Sequence, residues 1–329
     1  MQGYATPETP RAALQTIAVL GAGGRLGSTI VREAAARGHR IVLVTRTGAV
    51  PAEITLAGAH LEGRAADALD ARALAGAVRG ADVVVNALNP PYTAWPRRAM
   101  PMARAVIEAC AATGAHHLFP GNVYAQGQSM PPVILPDTPE QPTSRKGAIR
   151  RDMEALFREA AQAGGVHTTI LRAGDFFGGA RPAGSWLDLV IAAKVKKGRF
   201  TYPGPMDVPH AWAYLPDLAH AFVDLAERHK ALPPFAVLGF EGHTFTGTQL
   251  KAELEAAAGR PLKAARLSWP LVRAIGLVYP MYREIAEMAY LWCRPHRIDG
   301  SALAEIVGPP MRTASADALE AALAAMGQV

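Results

Sequence analysis

The sequence predicts an α/β fold: a doubly wound parallel sheet with a second, smaller and mostly helical lobe. Three observations lead there. Short β-branched runs alternate with longer helical stretches through the first half of the 329-residue chain, as expected for strands joined by crossover helices. A glycine-rich turn lies between the first strand and the first helix. After Arg172 the alternation gives way to segments punctuated by Gly and Pro, with helices but few strands.

The elements follow in order. Thr16–Leu20 is the first strand; the apolar lead-in from Ala12 ends in glycines, with Arg11 its only nearby cation, and so does not read as a leader peptide. Strands are then expected at Ile41–Val44, weakly at His60–Glu62, and at Val83–Asn86, His117–Phe119 and Thr168–Leu171. Helices are expected between them at Leu26–Arg37, Ala71–Val78, Arg97–Thr113 and Arg145–Ala163, each long enough to cross back over a sheet. Pro216–Arg228 starts with a proline and reads as a helix, and Phe235–Leu238 as a strand that rejoins the sheet. A helix at Thr248–Ala258, an apolar helical stretch over Pro270–Trp292 and a last amphipathic helix opened by Ser315 complete the chain. The larger domain is expected over 13–175 plus 211–240, and the smaller substrate-binding lobe over 176–210 plus 241–329.

Composition narrows the possible classes. With 50% apolar and 19% charged residues, and 34 Lys and Arg against 28 Asp and Glu for a net charge of +6, the chain is not disordered, collagen-like or a coiled coil. Apart from Arg145, Lys146, Arg150 and Arg151 the cations are scattered, so no nucleic-acid partner is expected. The two cysteines, Cys110 and Cys293, form no CxxC, and none of the ten histidines has a ligand spacing. A reducing compartment and no metal site are therefore expected. Arg273, Arg283 and Glu284 interrupt the longest apolar region, leaving it short of the roughly 18 apolar residues a membrane span needs. A soluble, cytoplasmic protein is expected.

Chemistry enters at Leu20-Gly21-Ala22-Gly23-Gly24-Arg25-Leu26-Gly27, where glycines follow a strand and open a helix. Gly21 permits the tight turn, Gly24 lets the backbone approach a pyrophosphate, and Gly27 allows close helix packing, with the helix N-terminus facing the anion. Gly23, Arg25 and Leu26 belong to the same dinucleotide-binding loop. The end of the second strand distinguishes NAD from NADP: a carboxylate there would hold a ribose 2′-hydroxyl, a cation a 2′-phosphate. Thr45 and Arg46 stand there, Arg46 lying 19 residues past Gly27, and no Asp or Glu is close. The expected cofactor is NADP, with Arg25 as a second cation; the other reading of Arg46 is a solvated surface charge.

These motifs resemble those of the extended and atypical short-chain dehydrogenases/reductases, whose Gly-x-x-Gly-x-x-Gly spacing Gly21, Gly24 and Gly27 share. The resemblance implies that Asp67 meets the adenine, that Asn86-Ala87 is the strand end beside the cofactor, and that Gly121-Asn122-Val123-Tyr124 is the active-site turn. Leu171-Arg172-Ala173-Gly174-Asp175-Phe176-Phe177-Gly178 is similar to the family's "LRP…YGP" stretch, which adds Arg172 and Gly174 to the cofactor site. Trp212-Ala213-Tyr214-Leu215-Pro216-Asp217-Leu218-Ala219 resembles its "VDDLA" helix start.

The family's YxxxK pair is missing. Lys146-Gly147-Ala148-Ile149-Arg150 stands in its place, and through Glu154 the segment is similar to the K-x-x-x-R-R-x-x-E helix of isoflavone and phenylcoumaran ether reductases. That likeness implies Lys146 as acid/base. Lys146 and Arg150 share a helix face, where like charges are mildly unfavourable. In a cleft, Arg150 and burial would make Lys146 a better proton donor, Arg150 would bind cofactor ribose, and Glu154 would hold Arg150. The alternative is a basic surface stripe with Arg145 and Arg151. Asn122, 24 residues before Lys146, either orients a substrate oxygen or is simply a turn residue. Tyr124 is a substitute acid or a packing aromatic. Asn89, Tyr92, Phe176, Phe177, Trp186, His210 and Trp212 are candidate walls of a site for an apolar or planar small molecule.

The expected activity is hydride transfer between NADP and a small carbonyl or activated carbon, with Lys146 moving the proton. Two alternatives stand beside it: a nucleotide-sugar epimerase or dehydratase, and a non-catalytic, NmrA-like NADP-binding regulator. A homodimer is a further expectation.

Overall fold

The computed structural model describes residues 14–54, 56, 58–179 and 184–329; the lead-in at Ala12 and Ala13 lies outside them. The first half alternates as the sequence predicts: β1 (Thr16–Leu20), α1 (Arg25–Ala36), β2 (Arg40–Thr45), β3 (His60–Ala65), α2 (Ala71–Val78), β4 (Val83–Asn86), α3 (Trp95–Thr113), β5 (His116–Gly121), the two-residue β6 (Val133–Ile134), α4 (Arg145–Gln162) and β7 (Thr168–Arg172). Then come β8 (Asp175–Phe177), β9 (Arg199–Tyr202), β10 (His210–Tyr214), α5 (Leu215–Glu227), β11 (Phe235–Gly239), β12 (His243–Phe245) and α6 (Gly247–Ala258). β13 (Lys263–Arg266), α7 (Trp269–Gly276), α8 (Pro280–Glu287), β14 (Arg297–Ile298), α9 (Ser301–Val307) and α10 (Ser315–Ala325) end the chain.

Seven strands form one parallel sheet in the order β11-β7-β5-β4-β1-β2-β3. Both faces are covered, so β1 and β4 are almost wholly apolar and buried. Alternation splits each strand between two cores. Ala18 and Leu20 face α2, α3 and α4 with Val106 and Phe157, whereas Ile17 and Val19 face α1, α5 and α9 with Ile30, Phe222 and Leu303. The strand order reverses between β1 and β4, which opens a crevice at their carboxyl ends, the place where such sheets bind ligands.

Local chemistry fixes the helix starts nearest this crevice. Ser144 caps α4 by accepting from Gly147 N at 3.0 Å, and Asp70 caps α2 by accepting from Ala73 N at 3.0 Å. A third core around Phe200, Tyr202, Trp212, Leu250, Trp292 and Leu319 lies under the later segments. β10, expected in the larger domain, does not join the main sheet; it runs parallel to β8 and antiparallel to β12 in a separate sheet. The stretch Pro270–Trp292 is not one helix. It divides into α7 and α8 because Pro280 cannot donate within a continuing helix, and Gly276 permits the close return. A Cβ on Gly276 would stand 2.9 Å from Arg283 N.

Candidate active site

The glycine loop has the shape its sequence implies. Gly21 adopts φ +74°, and a Cβ there would lie 2.8 Å from Ala87 O. At Gly27 a Cβ would come within 2.4 Å of Gly21 O, so the loop closes on its own helix only because that side chain is missing. Gly24 is the N-cap of α1, with no side-chain cap and no acidic residue in the first turn. The first-turn amides of α1 are therefore left without a side-chain acceptor. The Leu26 side chain is buried in the core, which leaves only its backbone to face a cofactor.

The flanking cofactor candidates separate. Arg46 is exposed in the bend after β2, and among the described residues no hydrogen bond or ion pair ties it down. Arg25 does not join it. Its guanidinium donates to Gly178 O at 2.9 Å and pairs with Asp188 at 3.2 Å, so a carboxylate already occupies the second expected cation. Asp67 is exposed and accepts from Leu69 N at 3.0 Å, which shapes the turn after β3. Asn86 is buried against His117 at 3.3 Å, and Ala87 abuts Gly21.

The charged helix face is rearranged relative to expectation. Lys146 is 1% exposed, with Nζ 2.5 Å from a Glu284 carboxylate oxygen, and it also pairs with Glu287. Both carboxylates come from α8. They outweigh any repulsion from Arg150, and Lys146 with its neighbour Arg145 holds the Glu284 carboxyl below the usual carboxylate range although burial pushes it up. Glu154 does not hold Arg150; it pairs with Arg172 at 2.8 Å. Arg172 also donates to Asn122 O at 2.8 Å and to Gln126 Oε1 at 3.1 Å, so its guanidinium braces the carboxyl ends of β5 and β7. Arg150 instead lies between the rings of Trp95 and Phe119, 4.9 Å from each centroid, and donates to Pro120 O at 3.2 Å. Lys146 and Arg150 are therefore buried, the first paired with carboxylates and the second held by rings and a carbonyl, and only the outer members Arg145 and Arg151 reach solvent.

A small cleft lies at the carboxyl ends of β5 and β7, lined by Asn122, Tyr124, Asp175, His210, Leu291 and His296 among others. Asn122 Oδ1 accepts from Tyr124 N at 3.0 Å, the turn geometry that was its alternative reading, while its Nδ2 has no partner among the described residues. Tyr124 Oη lies 2.9 Å from Tyr92 Oη, and Lys146 Nζ sits 5.2 Å from the centre of the Tyr92 ring. Burial raises both phenols above their ordinary value, Tyr124 well above, so both remain protonated donors. His210 Nε2 lies 2.8 Å from Asp175 Oδ2, and its Nδ1 is buried without a partner. The imidazole stacks on Trp292 with centroids 4.2 Å apart and meets His296 at 4.5 Å. Burial pushes His296 down to about 3, which leaves it neutral.

Asp175 and His296 were not singled out from sequence. Asp175 stands inside the quoted LRAGDFFG stretch; nothing local marks His296, which lies 86 residues beyond His210. Gly174 serves packing, since a Cβ there would strike Ala211 O at 2.3 Å. Phe177 and Trp212 belong to the third core, and Trp186 packs edge-on against Trp269 and Trp292. Phe176 packs against the core around α1 and α5. Asn89 accepts from Trp95 Nε1 at 3.2 Å.

Residues 21–182 match the NAD(P)H-binding domain family. No curated protein matches the chain. Among solved structures the chain is similar to UDP-glucose-4-epimerase from Stenotrophomonas maltophila, solved with bound NAD and formylated UDP-arabinopyranose, at 16% identity, TM-score 0.75 and coverage of 95% of this chain and 98% of that one. It is also similar to UDP-glucose 4-epimerase from Brucella ovis in complex with NAD, at 15% identity, TM-score 0.74 and coverage of 95% and 98%. A third is UDP-glucuronic acid 4-epimerase from Bacillus cereus, in complex with UDP-glucuronic acid and NAD, at 17% identity, TM-score 0.74 and coverage of 95% and 99%. The glycine loop lies within the segment that matches the NAD(P)H-binding family. The fold of the chain is that of the NAD-dependent epimerases. No described helix is long and apolar enough to cross a membrane.

Proposed function

We propose that the protein is an NADP-dependent oxidoreductase acting on a small, uncharged, largely apolar carbonyl compound. One observation carries this reading: the cleft at the carboxyl ends of β5 and β7 combines a phenol, a side-chain amide and a carboxylate-held imidazole, and neither Lys nor Arg is in its lining. A nicotinamide cofactor supplies the hydride when bound. The phenol of Tyr124, with Asn122 Nδ2, orients the substrate oxygen and stabilises charge developing on it. Asp175 accepts a hydrogen bond from His210 Nε2–H; as the imidazolium, His210 would give its Nδ1 proton to the carbonyl oxygen as hydride reaches the carbon, which leaves the neutral Nε2–H form held by Asp175. Lys146, clamped by two carboxylates, positions Tyr92 behind Tyr124 instead of donating directly. Arg46 takes the 2′-phosphate and favours NADP over NAD.

The overall likeness to UDP-sugar epimerases favours a second reading, an epimerase or dehydratase acting on a sugar nucleotide. A sugar nucleotide brings a second pyrophosphate besides the cofactor's, and away from a helix N-terminus such a group is held by cations. Lys146, Arg172 and Arg25 are already paired with carboxylates, and Arg150, which has no ion pair among the described residues, is buried between Trp95 and Phe119. The deciding experiment measures NADPH oxidation against a panel of uncharged ketones, aldehydes and enones, with His210→Asn and Tyr124→Phe as variants. His210→Asn should lower kcat by about 10²- to 10⁴-fold without changing NADPH affinity. NADPH binding with no turnover of any carbonyl would point to the regulator instead, and NAD retained through purification with turnover of UDP-sugars to the epimerase.

A further inference from the structure

The hairpin of α7 and α8 carries more apolar surface than the chemistry uses. At its tip Leu277 is 88% exposed, Val278 74% and Tyr279 61%, and Leu271, Met281 and Tyr282 are exposed beside them. Single exposed apolar residues are ordinary, but six within twelve positions of one helical hairpin form a contact surface. Its charge is one-sided. The carboxylates of the hairpin, Glu284 and Glu287, turn inward to Lys146 and Arg145, while Arg273 and Arg283 remain exposed. Arg283 reaches Glu284 only at 3.9 Å, and its side chain is 65% exposed. The outward face therefore presents aliphatic and tyrosyl side chains between two guanidinium groups, on a chain of net charge +6.

We propose that this tip is a docking surface for an anionic phospholipid bilayer. Aliphatic residues would enter the headgroup boundary, tyrosines would sit with ring inward and hydroxyl in water, and the flanking arginines would meet lipid phosphates. A peripheral contact of this kind needs no spanning helix. The inward turn of both carboxylates supports a negatively charged partner, because it removes the groups that would repel one. The proposal stands independently of the chemistry of the cleft.

Sedimentation of the full chain with sucrose-loaded vesicles tests it, using phosphatidylcholine alone and phosphatidylcholine with phosphatidylglycerol. Binding is expected to the anionic vesicles, at least tenfold weaker to the neutral ones, and weakened by raising salt from 0.1 M to 0.5 M. Leu277→Ser/Val278→Ser/Tyr279→Ser should reduce binding at least tenfold, with circular dichroism and melting unchanged because these side chains are already in solvent. Arg273→Gln/Arg283→Gln should erase the preference for anionic vesicles. The proposal is overturned if the wild type ignores both vesicle types, or if the triple-serine variant keeps full binding. It is equally overturned if the triple-serine change dissolves a dimer seen by ultracentrifugation while vesicle binding is absent, which would assign the tip to a second copy of the chain.

Discussion

Replacing Lys146 with Met separates a structural clamp from a proton donor. The ammonium is 1% exposed, and Glu284, whose side chain is 5% exposed, stands 2.5 Å away with Glu287 beside it. Met fills the volume of the chain but leaves two carboxylates facing each other, with the largely exposed Arg145 and, at 3.9 Å from Glu284, Arg283 as their remaining cations. Breaking a buried ion pair from one side costs about 3–5 kcal/mol. The loss has a pH signature. In the wild type the Glu284 carboxyl lies below its ordinary value of 4.5, so its contribution is complete above that pH and disappears as pH falls through the lower folded value. In Lys146→Met burial acts on Glu284 with its main counter-cation removed and raises it, so the deficit is greatest near neutrality and shrinks on acidification. Urea unfolding followed by tryptophan fluorescence from pH 5 to 8 reads both quantities. A variant within about 0.5 kcal/mol of wild type at pH 7, the range of an ordinary surface substitution, or a deficit independent of pH, would refute the clamp. Lys146→Met/Glu284→Gln/Glu287→Gln should recover most of the stability and keep NADPH turnover. If that stabilised variant is inactive, Lys146 is the proton donor after all.

Three further outcomes are expected. Arg46→Ala should raise the NADPH Kd roughly ten- to a hundredfold, the value of a lost charged hydrogen bond, and leave the NADH Kd within about twofold; equal losses for both cofactors in fluorescence titration would contradict the assignment of the 2′-phosphate. Gly27→Ala places a Cβ 2.4 Å from Gly21 O, so it should cost about 1–3 kcal/mol in overpacking and weaken both cofactors together, and unchanged calorimetric affinity would disprove the close approach. Glu140 is pushed up to about 7 by burial and by the Glu154 carboxylate beside it. Folded protein thus keeps a proton there that unfolded protein has lost, and stability should fall as pH rises from about 4.5 through about 7. Glu140→Gln should flatten that slope, and a wild-type Tm that climbs across the window would exclude it.

Local pattern alone placed β1, α2 and β4 to the residue, because burial on both faces of a parallel sheet leaves runs such as Thr16–Leu20 and Val83–Asn86 that fit no other element. The glycine loop was legible for the same kind of reason: a turn, a missing Cβ and a helix N-terminus are set within seven residues. The division of Pro270–Trp292 was less so, since apolar content hid the break that Pro280 and the close return at Gly276 impose. What the sequence determined by itself was therefore the sheet, its crossovers and the shape of the glycine turn that opens α1. Tertiary structure alone decided which charges are free. Lys146 meets carboxylates 138 and 141 positions away, Arg172 takes the glutamate expected for Arg150, and His210 finds Asp175 across two strands. Ion pairing depends on distance in space and on shared burial, neither of which is written in the spacing of residues along the chain.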